Sequence, residues 1–260
     1  NKAGINPDEI TSYAKLEEAV KKLDAKKAEL GLEAVFAVAG KETWVTGLHF
    51  TNAALSPEFE NVLNAFNAKK IDFKYSEGMK KLFDLQINYA KKPVNSVDYS
   101  TQVEKLFSLG KVAFMQQGNW TLGAIKGIDE ELAANIGFLP MPIVGAKEDS
   151  IPVGIPMYWT VNSTKDEKTQ AAAKAFLNWM YTSEKGKDAI INKFGFIPPF
   201  KGFDSPDLQP KDALAKDIMK YASAGKTIQW VFMGYPSGWG MEKIGVDLRK
   251  YVDGKLTWDQ

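Results

Sequence analysis

Apolar positions along the first half of the chain recur at two different spacings, and the alternation sets the fold class. Tyr13, Leu16, Val20 and Leu23 repeat at helical intervals, and Gly31 follows as a stop. Residues 34–39 are a short apolar run closed by Gly40, which reads as a strand. Residues 44–55 read as a helix that Pro57 breaks or follows with the start of another. Leu82, Phe83 and Tyr89 mark an amphipathic helix after Gly78 that ends before Pro93. Val103, Leu106 and Phe107 mark one more, leading through Gly110 into a strand over 111–116. Helices alternating with short buried strands predict an α/β fold with a largely parallel sheet.

The second half is punctuated differently. Pro140, Pro142, Gly145 and Pro152 mark an extended stretch ending in a strand over 153–161. Residues 166–181 and 184–193 read as two helices separated by Ser183. Residues 194–200 are apolar but too rich in proline for a central strand. No internal repeat or low-complexity tract interrupts this order.

Within this pattern one segment points to a ligand. Val112, Ala113, Phe114 and Met115 form a run short enough for a strand buried on both faces. Gly118 then lets the chain turn, so Trp120 opens the next helix at the carboxyl end of a parallel strand. Open α/β sheets bind ligands at that end. An indole there offers a flat apolar face, which a pyranose ring can match.

Composition narrows the chemistry. A chain of 260 residues with 45% apolar content can bury a substantial core in one large or two small domains. A formal charge of +1 argues against a nucleic-acid partner, which calls for a basic footprint. With no cysteine, thiol catalysis, disulfides and Cys-based zinc sites have no material. No run reaches the ~18 apolar residues of a membrane span. His49 is the only histidine and reads as a helix-surface or packing residue, leaving His-based triads and metal clusters unsupported. Ser12-Tyr13-Ala14-Lys15 fits Ser-x-x-Lys without the companion motifs such enzymes need. Gly118 to Gly123 is followed by Ala124, so no phosphate loop forms. Glu17-Glu18 and Asp129-Glu130-Glu131 read as solvated helix faces, and no carboxylate pair stands out for glycosidic chemistry. No cofactor is expected.

Seven tryptophans occur, and five lie beside turn signals: Trp44, Trp120, Trp159, Trp239 and Trp258. Trp239 is flanked by glycines in Gly234-Tyr235-Pro236-Ser237-Gly238-Trp239-Gly240, as though its indole were held at the mouth of a turn. Among the 33 basic residues the only arginine is Arg249. A carboxylate or phosphate ligand would favour a bidentate guanidinium, so a neutral sugar fits better.

The string Gly110-Lys111-Val112-Ala113-Phe114-Met115…Gly118-Asn119-Trp120 resembles a signature of the family 1 extracellular solute-binding proteins of ABC sugar importers, the maltose-binding-protein-like group. Val153-Gly154-Ile155-Pro156-Met157-Tyr158-Trp159-Thr160-Val161-Asn162-Ser163 resembles that family's interlobe crossover strand. Ala171-Ala172-Ala173-Lys174-Ala175-Phe176-Leu177-Asn178-Trp179, with Thr182-Ser183-Glu184 after it, resembles the helix that follows. Asp253-Gly254-Lys255-Leu256-Thr257-Trp258 resembles the run before the last helix.

The resemblance implies a periplasmic-binding-protein type II fold, mostly its C-terminal lobe with a partial N-terminal lobe. Residues 1–156 and 205–260 would form the C-terminal lobe and residues 157–204 the piece of the other. It implies capture of a neutral mono- or oligosaccharide in an interlobe cleft for an ABC permease. The location would be extracellular, periplasmic or on a cell-surface lipoprotein. Trp120 and Trp239 would stack on opposite sides of the sugar, with Tyr158 or Trp159 facing the cleft from the hinge and Trp44 adding an aromatic. Asn119, Gln117 and Gln116 would supply hydrogen bonds to hydroxyls. Lys2-Ala3-Gly4-Ile5-Asn6-Pro7 resembles a stretch that the family reaches only after the first part of its N-terminal lobe. The chain therefore reads as truncated at both ends, with the missing N-terminal lobe segment as a partner. Phe176, Trp179 and Ile190 would then lie open as apolar patches. Two alternatives stand beside this reading: a glycan-acting enzyme, and an interaction fragment that pairs with its missing segment and binds no sugar.

Overall fold

The computed structural model describes residues 3–155, 158–198, 200–203 and 205–260. Helix α1 (Tyr13–Ala25) starts at Ser12, whose Oγ accepts the Lys15 N–H, and buries Leu16, Ala19, Val20 and Leu23. This is the 3–4 spacing of a one-sided helix. It leads into β1 (Ala34–Ala37), every residue of which is buried. A π-helical segment, Val45–Phe50, then runs directly into α2 (Thr51–Phe59).

Pro57 neither breaks α2 nor starts a new helix. The helix continues through it to Phe59, because residues 51–56 are all buried and tertiary packing outweighs the one lost hydrogen bond. The short α3 (Val62–Asn67) follows, then α4 (Ser76–Asn88), which includes Gly78 and buries Leu82 and Phe83. A second π-helical segment, Thr101–Phe107, ends at Gly110, whose φ of 64° is the left-handed geometry expected of that stop.

The strand β2 (Val112–Met115) pairs in parallel with β1, with Phe36 opposite Phe114. An isolated parallel bridge from Phe36 to Ala90 flanks β1 on its other side. β2 is therefore the outer strand, which corrects the expectation that it is buried on both faces. Val112 is buried, while Ala113, Phe114 and Met115 are half-buried. Helices α5 (Leu122–Ile128) and α6 (Glu130–Ala134) follow. The strand β3 (Ile151–Val153) pairs in parallel with the later β4 (Thr227–Gln229). The expected strand over 153–161 is shorter than its apolar pattern: residues 158–162 are not strand, and Met157 lies outside the described residues.

Next come α7 (Glu167–Thr182), capped by Asp166, and α8 (Glu184–Asp188), capped by Ser183. After α9 (Ala213–Ser223) and β4, the chain ends with α10 (Gly245–Val252), entered through a π-helical segment, Trp239–Ile244. That segment crosses Val45–Phe50 so closely that a Cβ on Gly47 would fall 1.9 Å from the Gly240 carbonyl oxygen. Glycine is needed here for approach, not for conformation.

The largest core joins Leu16, Val20, Val35, Phe50, Leu82, Phe83, Ile143 and Leu248, with the Phe50 and Phe83 rings 5.1 Å apart. Its members come from both ends of the sequence. A separate cluster of Met180, Ile190, Ile191 and Phe203, with Leu177, Tyr181 and Leu208 against it, draws only on the region around α7 and α8. Ile190 is 1% exposed and so is not the open patch expected of it, because Met180 and Phe203 cover it. Phe176 and Trp179 are exposed, as expected, with rings 5.8 Å apart. No helix among the described residues is long and apolar enough to cross a membrane.

Candidate functional site

The carboxyl ends of β1, β2 and β4 each deliver aromatic side chains to one place. Trp44 follows β1, Trp120 follows β2, and Trp230 with Phe232 follows β4. Their rings meet around His49: the imidazole lies 5.6 Å from Trp44, 5.5 Å from Trp120, 5.1 Å from Trp230 and 4.8 Å from Phe232. Trp120 also sits 6.3 Å from both Trp44 and Trp230, and Tyr99 lies 6.3 Å from Trp44. Trp230 and Phe232 stack at 5.3 Å. Parallel strand ends thus become an aromatic platform, the placement that open α/β sheets favour for ligands.

Each ring is fixed by neighbours on the backbone. Trp120 is the middle residue of the short 3-10 turn Asn119–Thr121 before α5. Its indole lies over Gly118, where a Cβ would fall 2.1 Å from the ring. Gly118 itself has an extended φ of −104°, so its role is to make room for the indole. Trp230 lies against Gly154 in the same manner, where a Cβ would fall 2.5 Å from the indole. Asn52, fully buried in α2, donates to the Gln229 carbonyl (2.9 Å) and accepts the Val231 N–H (2.8 Å), clamping the segment that carries Trp230.

The indole N–H groups of two platform residues are committed to the protein. Trp44 Nε1 donates to Glu42 Oε2 (3.1 Å), while Glu42 Oε1 accepts the Tyr99 N–H (3.2 Å). Trp120 Nε1 donates to Gln117 Oε1 (3.2 Å). What remains for a ligand is ring face, and Trp120 is 41% exposed. Burial among these rings pushes the His49 imidazole down to about 4, so it is neutral at pH 7. The ring-bearing residues therefore bring no positive charge to the platform. Among the described residues no group of histidine, cysteine or carboxylate side chains could hold a metal ion.

The residues singled out from sequence are distributed over more than one place. Trp120 and Trp44 lie in the platform. Gln117 lies behind it, its amide hydrogen-bonded inside the protein, and Gln116 donates to the Val45 carbonyl (3.2 Å). Asn119 is half-buried beside Trp120. Trp239 shares no ring contact with the platform. It meets Tyr235 edge-on at 4.8 Å and packs in a cluster with Leu55, Ala65 and Val231. The glycines around it serve the helix start at Gly238 (φ 75°) and the crossing at Gly240. Tyr158 and Trp159 are 71% and 58% exposed, and Trp159 Nε1 donates to Tyr181 Oη at 2.6 Å. Trp258 is structural, donating to Ser76 Oγ at 2.9 Å.

Sequence reasoning does not single out Trp230, Phe232 or Tyr99, which complete the platform, and reads His49 as a helix-surface or packing residue. The overlooked signal was position: Trp230 directly follows a short strand, as Trp120 nearly does, but has no adjacent glycine to advertise it.

Comparison with known proteins accords with this architecture. The chain resembles a chitin oligosaccharide binding protein with a TM-score of 0.75 at 19% identity, covering 100% of this chain and 63% of that one. It resembles a binding protein, MsmE, of Bacillus subtilis subsp. subtilis str. 168 in an open conformation, with a TM-score of 0.69 at 17% identity over 99% of this chain and 63% of that one. A Streptococcus pneumoniae solute-binding protein in complex with the blood group A-trisaccharide gives a TM-score of 0.59 at 18% identity, covering 100% and 64%. These likenesses show a shared fold, the periplasmic-binding-protein type II class, and the chain spans about 63% of the length of the first two. No curated protein sequence matches the chain. The bacterial extracellular solute-binding protein family matches residues 1–187, nearly three-quarters of the sequence, and the chain belongs to that family.

Proposed function

We propose that this chain carries the sugar-recognising surface of an ABC importer's solute-binding protein, and that its ligand is a neutral oligosaccharide. The observation that supports this most is the platform of Trp44, Trp120 and Trp230, with the indole N–H groups of Trp44 and Trp120 already hydrogen-bonded to Glu42 and Gln117. Its rings offer stacking faces and carry no positive charge of their own. It suits the C–H face of a pyranose better than a carboxylate or phosphate, which favours a guanidinium.

The magnitudes are those of one side of a cleft. Covering ~60 Å² of sugar surface with one indole contributes roughly 1.5 kcal/mol. Two faces give about 3 kcal/mol, against the ~8 kcal/mol of micromolar binding. The remainder would come from hydrogen bonds and from a facing lobe. In this reading residues 1–156 and 205–260 form the C-terminal lobe. Residues 157–204 are the piece of the N-terminal lobe, and Tyr158 and Trp159 approach the ligand from its side. Hinge closure over the sugar, delivery to a permease and anchoring as a lipoprotein follow from family membership as expectations.

The test is a titration of the 260-residue chain with chitotriose, stachyose and maltotriose up to tens of millimolar, followed by tryptophan fluorescence. A saturable change with a Kd in the millimolar range or tighter supports the reading. Folded protein that responds to none of them contradicts it.

A further inference from the structure

The plane of the Trp120 indole is held from behind by a chain of amides whose polarity is set at its far end. Gln102 is 0% exposed, in the π-helical segment Thr101–Phe107, and its Nε2 donates to the Ala37 carbonyl at the end of β1 (2.7 Å). A peptide carbonyl has no proton to give, so Gln102 must turn its Oε1 the other way. There it accepts Gln117 Nε2–H at 2.7 Å. Gln117 is then obliged to present Oε1 to Trp120, and it accepts the indole Nε1–H at 3.2 Å. Reversing any one amide places two donors or two acceptors face to face somewhere along the chain. The strand carbonyl of Ala37 thereby sets which atom of Gln117 faces the indole, and the Trp120 N–H is taken up by that oxygen.

Resting on the platform reading above, we propose that Gln102 is a positioning residue for the ligand site. It never touches the ligand. Through Gln117 it fixes the indole plane of Trp120 and withholds the indole N–H from the ligand's hydroxyls, so that Trp120 recognises a sugar by its face alone. Glu42 gives Trp44 the same treatment by a single step, but only the Gln102 route reaches from a buried position on the sheet to the exposed ring.

The substitution Gln102→Met tests this in the full chain at pH 7. A thioether cannot donate to Ala37 and accepts only weakly from Gln117, so the amide chain breaks while the length of the side chain is kept. The expected result in ligand-free protein is a shifted and faster-exchanging Trp120 indole N–H resonance, with the Trp239 and Trp258 resonances in place. Chitotriose or stachyose affinity should fall roughly tenfold, the scale of one unmet buried polar group. That loss should vanish in a Trp120→Phe background, since the coupling runs only through the indole N–H. Gln117→Met breaks the same chain one step closer to Trp120 and serves if Gln102→Met does not fold. A Trp120 resonance unmoved by either variant overturns the proposal, as does an affinity loss that persists in Trp120→Phe. Wild-type protein that binds no oligosaccharide overturns the platform reading, and with it the ligand role of Gln102, while the resonance still reports whether the amide chain exists.

Discussion

The His49 imidazole stands edge-on to the Trp230 indole, with ring centroids 5.1 Å apart and planes at 86°. An uncharged imidazole packs there as an aromatic ring. A charged one would sit among apolar rings with no carboxylate to pair with, which is why burial depresses its pKa from 6.5 to about 4. In the unfolded chain His49 titrates near its ordinary value. Between pH 6.5 and about 4 the unfolded state therefore binds more protons, and stability falls as pH falls through that window. Above pH 6.5 the group contributes no pH dependence. The size is on the order of 3 kcal/mol, from 1.36 kcal/mol for each pKa unit. Urea midpoints measured from pH 7 to 4 should show His49→Phe losing less stability than the wild type across that window. Parallel curves would contradict the buried neutral assignment.

Asn52 ties helix α2 to the segment bearing Trp230 by satisfying both a carbonyl and an N–H. Asn52→Leu keeps the branched shape and leaves the Gln229 carbonyl and the Val231 N–H unpaired. It should cost about 2–4 kcal/mol in chemical denaturation and shift the tryptophan emission of the folded protein. A variant of unchanged stability would mean that the clamp is dispensable.

Gly118→Ala tests whether the Trp120 ring is seated by the space above that residue. A methyl group would meet the indole at 2.1 Å and displace it. The backbone there is already extended, so strain is small. We expect less than about 1 kcal/mol of lost stability and a several-fold weaker response to oligosaccharide. A large loss of stability with unchanged binding would reverse that assignment.

The two tryptophans that the family resemblance pairs across a ligand should separate cleanly in mutagenesis. Trp120→Ala removes an exposed face and should weaken sugar binding by about tenfold, the equivalent of roughly 1.5 kcal/mol. Trp239→Ala opens a hole beside Leu55 and Tyr235. It should destabilise the fold by about 2–3 kcal/mol and leave the affinity of the folded fraction in place. Isothermal titration alongside thermal unfolding reads both quantities.

Much of the fold was legible because its elements are short and strongly patterned. The α1 repeat, the all-apolar β1 and the Gly110 stop each state their structure locally. Pro57 misleads because a local breaker is overruled by a buried helix face that only the tertiary structure reveals. Ile190 misleads in the opposite direction, since its cover, Met180 and Phe203, comes from outside its own helical segment. The position of Trp120 among the platform rings was readable from its glycine and its strand. Trp239 carried the stronger glycine signal and yet lies half-buried against Leu55 and Tyr235, because Gly240 answers to Gly47 across a helix crossing. Trp230 was silent in sequence. Its place in the platform depends on a β3–β4 pairing between residues more than seventy positions apart, which no local pattern encodes.

The central claim is that a neutral oligosaccharide is recognised on the platform formed by Trp44, Trp120 and Trp230. The most direct measurement follows the tryptophan indole N–H resonances of the labelled chain during titration with chitotriose and stachyose. The account predicts saturable shifts for Trp44, Trp120 and Trp230, with Trp179, Trp239 and Trp258 unmoved. Shifts confined to Trp239, or none at any concentration up to tens of millimolar, would contradict it.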